Sequence, residues 1–152
     1  LPFTPVPVTL QTFFVFLIAA LLGPRYGLMS VAGYLALGAA GLPVFQGYGS
    51  GLSYFAGITG GYLAGFCAAT LLIGRLFSSG KQFSSAKTIL FMGSGALVLY
   101  IMGVAWLSLA LKISLLKAFY LGAAPFLYAE ALKVVSAALI YNKVSAKFQN
   151  TL

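Results

Sequence analysis

Apolar residues run along this chain in long blocks rather than alternating with polar ones, and short turn-forming clusters separate the blocks. Residues 11–22 and 28–41 are almost wholly apolar and flank Gly23-Pro24-Arg25-Tyr26-Gly27, a segment built to turn the chain. Three clearer blocks follow at 57–77, 88–111 and 119–141, each near the ~20 residues a bilayer crossing requires. The first two blocks are short for a crossing, but flanking residues lengthen both. The pattern therefore predicts five membrane-spanning helices, the first two joined by a tight turn, with a re-entrant hairpin as the alternative there. Residues 42–56 carry Pro43, Gly47, Gly49, Ser50 and Gly51 and no charge, which predicts a loop. No repeat, low-complexity tract or long linker divides the chain, so residues 1–152 are expected to form a single integral-membrane domain.

Composition agrees with a lipid solvent. Hydrophobic residues make up 61% of the chain, charged residues only 7%, and the mean hydropathy is +1.02; charged residues alone are about 25% of an ordinary soluble domain. The net charge of +8 comes from basic residues scattered singly between apolar runs, which excludes the patch or stripe that binding nucleic acid needs. Those residues set orientation instead: Arg25, Arg75, Lys81, Lys87, Lys143 and Lys147 fall on one side, which becomes the cytoplasmic one, and Lys112 and Lys117 on the other. Cys67 is the sole cysteine, so neither a disulfide nor a thiolate metal cage forms within one chain. The chain opens at Leu1 with LPFTPVPVTLQ, too rich in proline for a signal peptide, and is expected to begin partway into a longer protein.

One charged pair stands inside an apolar block. Glu130 is the only acidic residue of the chain, and Lys133 follows it by three positions, on the same helical face. In lipid such groups mark a partner, a cavity or a substrate; mutual neutralisation for insertion is the alternative. Pro125 disfavours helix just before it, which predicts a helix start at about residues 126–128. Such a start presents free N–H groups and a positive dipole end to an anion or polar head group, here facing outward. Two ridges of small residues accompany the pair: Gly57, Gly61, Gly65 and Ala69, and earlier Ala32, Ala36 and Ala40. Each suits internal helix packing or docking onto another membrane protein.

Pro5-Val6-Pro7-Val8-Thr9-Leu10-Gln11-Thr12-Phe13, then Leu37-Gly38-Ala39-Ala40-Gly41-Leu42-Pro43-Val44-Phe45, then Thr59-Gly60-Gly61-Tyr62-Leu63-Ala64-Gly65-Phe66 carry a resemblance. They resemble, in family order, the biotin-specific substrate-binding (S) components of energy-coupling factor (ECF) transporters, the BioY family. Tyr100, Gly103, Trp106 and Leu107 are similar to it too, as is Pro125-Phe126 followed by an acid and a lysine. The resemblance implies an all-α membrane bundle of six helices, of which this chain shows five, the first being absent. It implies capture of biotin from outside by a multi-pass protein of the cytoplasmic membrane. A transmembrane coupling subunit and two ATPase subunits would be its partners, with biotin as transported ligand and no cofactor. The chain itself has no G-x-x-x-x-G-K-[ST] phosphate loop, so the energy has to come from a partner. It departs from the family at Gly57-Ile58-Thr59-Gly60-Gly61, where a helix-start proline is usual, and at Tyr128-Ala129-Glu130, where the usual acid is one methylene shorter.

Biotin offers two ureido N–H donors, one carbonyl, an apolar thioether ring and a carboxylate tail. Within the resemblance, Glu130 accepts ureido donors and Lys133 pairs with a ligand oxygen or steadies Glu130. Gln11 and Thr59 add neutral polar contacts, and Tyr48, Tyr62, Tyr100 and Trp106 wall the apolar ring. For Tyr48, Tyr100 and Trp106 interfacial anchoring or core packing is the alternative. The proline-rich start and loop 42–56 lie on the same outer side and are expected to close over the ligand. An S component for another small vitamin and a non-transporting membrane interaction protein are the competing functions. A membrane enzyme ranks below them, because the chain has no histidine and no carboxylate pair.

Overall fold

A computed structural model of the chain describes residues 9–149, so the first eight residues, expected to form part of a lid, lie outside the described region. Helices α1 (Gln11–Ala39), α2 (Leu52–Ala56), α3 (Gly60–Phe77), α4 (Ser85–Leu111), α5 (Leu115–Gly122) and α6 (Leu127–Gln149) follow in order. Among the described residues the one β-type pairing is the isolated Phe45–Gly49 bridge.

Helix α1 is a hairpin. Gly23 has φ 74° and ψ −175°, a conformation glycine alone adopts without strain, and Pro24 opens the second leg with its φ already helical. The Gln11 side chain donates to the Tyr34 hydroxyl, 23 residues away, a separation of about 35 Å along a straight helix. The two can meet only if legs 11–22 and 24–39 run antiparallel. A side chain on Gly74 would collide with Pro24, which puts the hairpin tip on the last turn of α3. The hairpin thus runs alongside α3.

By continuous length and apolarity, four helical stretches can cross a membrane: Gln11–Ala39, Gly60–Phe77, Ser85–Leu111 and Leu115–Lys147. The expected count of five differs only in that the first stretch contains two legs. The last expected span is displaced, however. In place of one helix over 119–141 there are α5, a break at Ala123 (φ −128°, ψ −58°), the 3-10 turn Ala124–Phe126, and α6 from Leu127. Pro125 produces that break, at the place its missing N–H and ring sterics dictate. Nor is 42–56 a plain loop, since Gln46–Tyr48 form a 3-10 turn and Leu52–Ala56 a short helix around buried Phe45. Phe45 stacks on Tyr54 (centroids 4.7 Å apart) and meets Tyr34 and Phe55 edge-on.

The long helices form a ring in which α3 packs between α1 and α4, and α6 closes the circle against the same two. At the end bearing Arg25, Arg75 and Lys87 the interior is filled by Phe77, Phe83, Phe91 and Tyr141, with Ile73 and Met92 fully buried. At the other end α3 begins with Gly60 and Gly61, and the interior is left open there.

The two small-residue ridges part ways. Gly61, Gly65 and Ala69 are buried, with Gly65 against Leu99 and Gly61 against Trp106 of α4, so that ridge is internal packing; Gly57 precedes the helix. Ala32, Ala36 and Ala40 are exposed, so of the two alternatives internal packing does not hold for that ridge.

Tyr62 pins α5 to the ring. Its ring occupies the space that a side chain on Gly103 would take, and its hydroxyl donates to the Gly122 carbonyl at 2.8 Å. Tyr62→Phe leaves that buried carbonyl without its donor, so stability is expected to fall by about 1–2 kcal/mol. A drop of about 3–6 °C in melting temperature checks it; an unchanged melt would show that water replaces the bond.

Candidate functional site

At the open end of the ring, polar atoms from four elements converge on one cavity. Helix α6 supplies Glu130 and Lys133. The Pro125 break sets Glu130 in the first turn of α6, where the positive end of the helix dipole favours an anion. The i,i+3 spacing puts Lys133 beside it, with Nζ 2.8 Å from Oε2. Helix α4 supplies Tyr100, whose hydroxyl donates to the same Oε2 at 3.3 Å. The first leg of α1 supplies Gln11 and Thr12, and the Thr12 hydroxyl accepts from Lys133 Nζ at 3.0 Å. Thr59 and Tyr62 come from the start of α3.

The carboxylate of Glu130 is therefore paired on one side only. Oε2 has two donors, whereas Oε1 is buried and has no hydrogen-bond partner among the described residues. The residue is 3% exposed, and a buried carboxylate oxygen left unpaired costs several times what a made hydrogen bond gains. Natural structures retain few such groups, and each needs a reason. Here the reason on offer is an acceptor held ready for a donor that the described residues do not supply. Lys133 has three N–H donors and gives one to Glu130 and one to Thr12, which leaves a third for the cavity.

Apolar walls complete the chamber: Leu63, Phe66, Leu99 and Phe126 line it beside Tyr62. Gln46 and Tyr54 reach it from segment 42–56. The cavity measures about 60 Å³, room for several water molecules and below the ~300 Å³ at which small-molecule pockets usually begin.

Of the residues singled out from the sequence, Glu130, Lys133, Gln11, Thr59, Tyr62 and Tyr100 come together here. Tyr48 and Trp106 do not line the cavity. Tyr48 is 87% exposed on the far side of its 3-10 turn, and Trp106 packs on Gly61 and donates to the Gly57 carbonyl at 2.8 Å, a brace at the mouth of α3. Gln11 is engaged with Tyr34, whose hydroxyl donates in turn to the Val44 carbonyl at 3.1 Å and so ties the cavity rim to segment 42–56. The sequence did not single out Thr12, Gln46, Tyr54 or Phe126. Thr12 and Phe126 adjoin residues that were singled out, and that adjacency was the available signal.

The comparisons with known proteins point the same way. Residues 1–150 match the model of the BioY family. The chain is 41% identical over 140 residues to "Biotin transporter BioY" of Thermotoga maritima, covering 92% of this chain and 81% of that one. It is 36% identical over 138 residues to "Biotin transporter BioY2" of Lactococcus lactis, covering 89% and 74%. Among solved structures, the fold matches the S-component for biotin from an ECF-type ABC transporter with a TM-score of 0.87 and 29% identity, over 93% of this chain and 77% of that one. With a family match over nearly its whole length and relatives more than 30% identical over most of theirs, this chain belongs to the BioY family.

Proposed function

We propose that the chain captures biotin at the outer face of the cytoplasmic membrane and serves as the S component of an ECF transporter. A transmembrane coupling subunit and two ATPase subunits would supply the energy, and the chain itself would catalyse no reaction. The observation that carries this is the buried Oε1 of Glu130, which no described residue pairs, beside a polar cavity lined by Lys133, Gln11 and Thr59. One ureido N–H of biotin supplies the missing donor, and the third N–H of Lys133 meets a ligand oxygen. The thioether ring lies against Phe66, Leu99 and Phe126, and Tyr62 and Tyr100 stand edge to face, 6.2 Å apart, beside it.

Because the cavity is smaller than a bicyclic ligand needs, segment 42–56 acts as a lid that swings out with Gln46 and Tyr54 and closes again over the vitamin. The basic residues Arg25, Arg75, Lys81, Lys87 and Lys143 cluster at the end opposite the cavity, which faces the site outward.

Titration of labelled biotin against the detergent-purified protein tests the proposal. Saturable binding that thiamine and riboflavin fail to displace is the expected outcome. A folded protein that shows no saturable binding would rule biotin out, and displacement by another vitamin would reassign the ligand. Co-purification with an ATPase tests the coupling.

A further inference from the structure

We infer that Thr12 is a positioning residue, which holds Lys133 off the second oxygen of Glu130 and so keeps the ligand acceptor open. The inference rests on the cavity being a biotin site. Lys133 and Glu130 lie one helical turn apart on α6, and an ammonium with three donors beside a carboxylate has an obvious lowest state: it bridges both oxygens. It does not do so here. Of the two carboxylate oxygens Nζ binds only Oε2, at 2.8 Å, and Oε1 has no partner among the described residues. What draws Nζ to one side is the hydroxyl of Thr12, 3.0 Å away on a helix 121 residues earlier in the chain. Thr12 is 7% exposed and sits in the first turn of α1, so the helix backbone fixes its position. Tyr100 loads Oε2 further, which favours the same one-sided arrangement.

Thr12 thus keeps the ion pair in a less tightly paired state, and the difference appears as affinity when a ligand N–H reaches Oε1. Loss of the hydroxyl lets the pair close on itself. The site is then satisfied without ligand, and the ligand has to break that pairing to bind. Stability and affinity move in opposite directions, which residues of purely architectural value do not produce.

Glu130 is the only acidic side chain of the chain, so [13C]glutamate labelling picks out the antisymmetric and symmetric stretches of one side-chain carboxylate in the infrared. Unequal pairing of the two oxygens widens the gap between antisymmetric and symmetric stretches, and bridging narrows it. Wild-type protein, Thr12→Val and Thr12→Ser are compared by this gap, by ligand-free melting temperature and by biotin titration. Thr12→Val is expected to narrow the gap, to melt no lower than wild type, and to bind biotin about 10- to 100-fold more weakly. Thr12→Ser is expected to match wild type in all three. A wild-type gap in Thr12→Val overturns the inference. So does an affinity loss that comes with a lower melting temperature and that serine fails to restore. Should no form of the protein bind biotin, the transport function falls, and the infrared gap still decides whether Thr12 holds the pair open.

Discussion

Glu130→Gln is expected to weaken biotin binding by about 10²- to 10³-fold while the protein stays folded. Glutamine keeps the length and the hydrogen-bonding plane of the side chain but changes two things at the cavity. It removes the negative charge that balances Lys133, and it puts an NH2 group on one of the two carboxylate positions. Lys133 takes the remaining carbonyl oxygen, since an ammonium that is only 12% exposed cannot stay unpaired. The NH2 then occupies the place of Oε1 and presents donors where the ligand also presents a donor. The charge-assisted acceptor becomes a clash of like groups. Glu130→Gln with Lys133→Met makes the argument testable on its own terms, because removing both charges restores the melting temperature and leaves binding lost. Titration of the single and double variants beside their melting curves is the measurement. Wild-type affinity in Glu130→Gln would move the ligand elsewhere. Binding recovered in the double variant would make the pair an insertion device only.

The elements of this site were legible to different degrees, for reasons that lie in the kind of interaction each depends on. Pro125 and Gly23 act through local backbone sterics, so the start of α6 and the turn of the α1 hairpin could be placed before any tertiary contact was known. Glu130 and Lys133 were legible because a charge in an apolar run is costly and the i,i+3 spacing is itself local. Thr12 was not, since its role is a contact with Lys133 across 121 residues, and a threonine in a membrane helix carries no signal of its own. Tyr48 and Trp106 failed in the opposite sense. Trp106 stands in the family pattern and Tyr48 just beyond one of its segments, but Tyr48 sits at φ 60° in a tight turn that aims it outward, and the Trp106 indole is taken up by the Gly57 carbonyl. Which face of a helix looks into the ring depends on the packing of α3 between α1 and α4, which no single segment encodes. Segment 42–56 reads as a loop by its glycines, yet the stacking of Phe45, Tyr54 and Phe55 folds it.

Gly61→Leu is expected to damage the fold severely, at about 3 kcal/mol or more and about 10 °C of melting temperature. Even a lone Cβ at this position would strike the Trp106 Cβ and come within 2.7 Å of the Met102 carbonyl, so it meets backbone as well as side chain. Leucine drives α3 and α4 apart over the turn that carries Tyr62 and Tyr100, and both walls of the cavity go with them. The indole of Trp106 also loses its seat, and with it the bond to the Gly57 carbonyl that braces the start of α3. Gly93→Leu is the matched control. It makes the same chemical change inside α4, where an added Cβ finds nothing within 4 Å, and the helix-propensity gain of replacing glycine is then free to appear. Opposite signs for one substitution at two positions separate crowding from any general effect of added bulk on insertion. Melting of both variants in the same detergent, with and without biotin, reads the contrast. A Gly61→Leu protein that melts within about 2 °C of wild type would mean that α3 and α4 slide to a new register without loss, and the close approach of these two helices would then not be what builds the site.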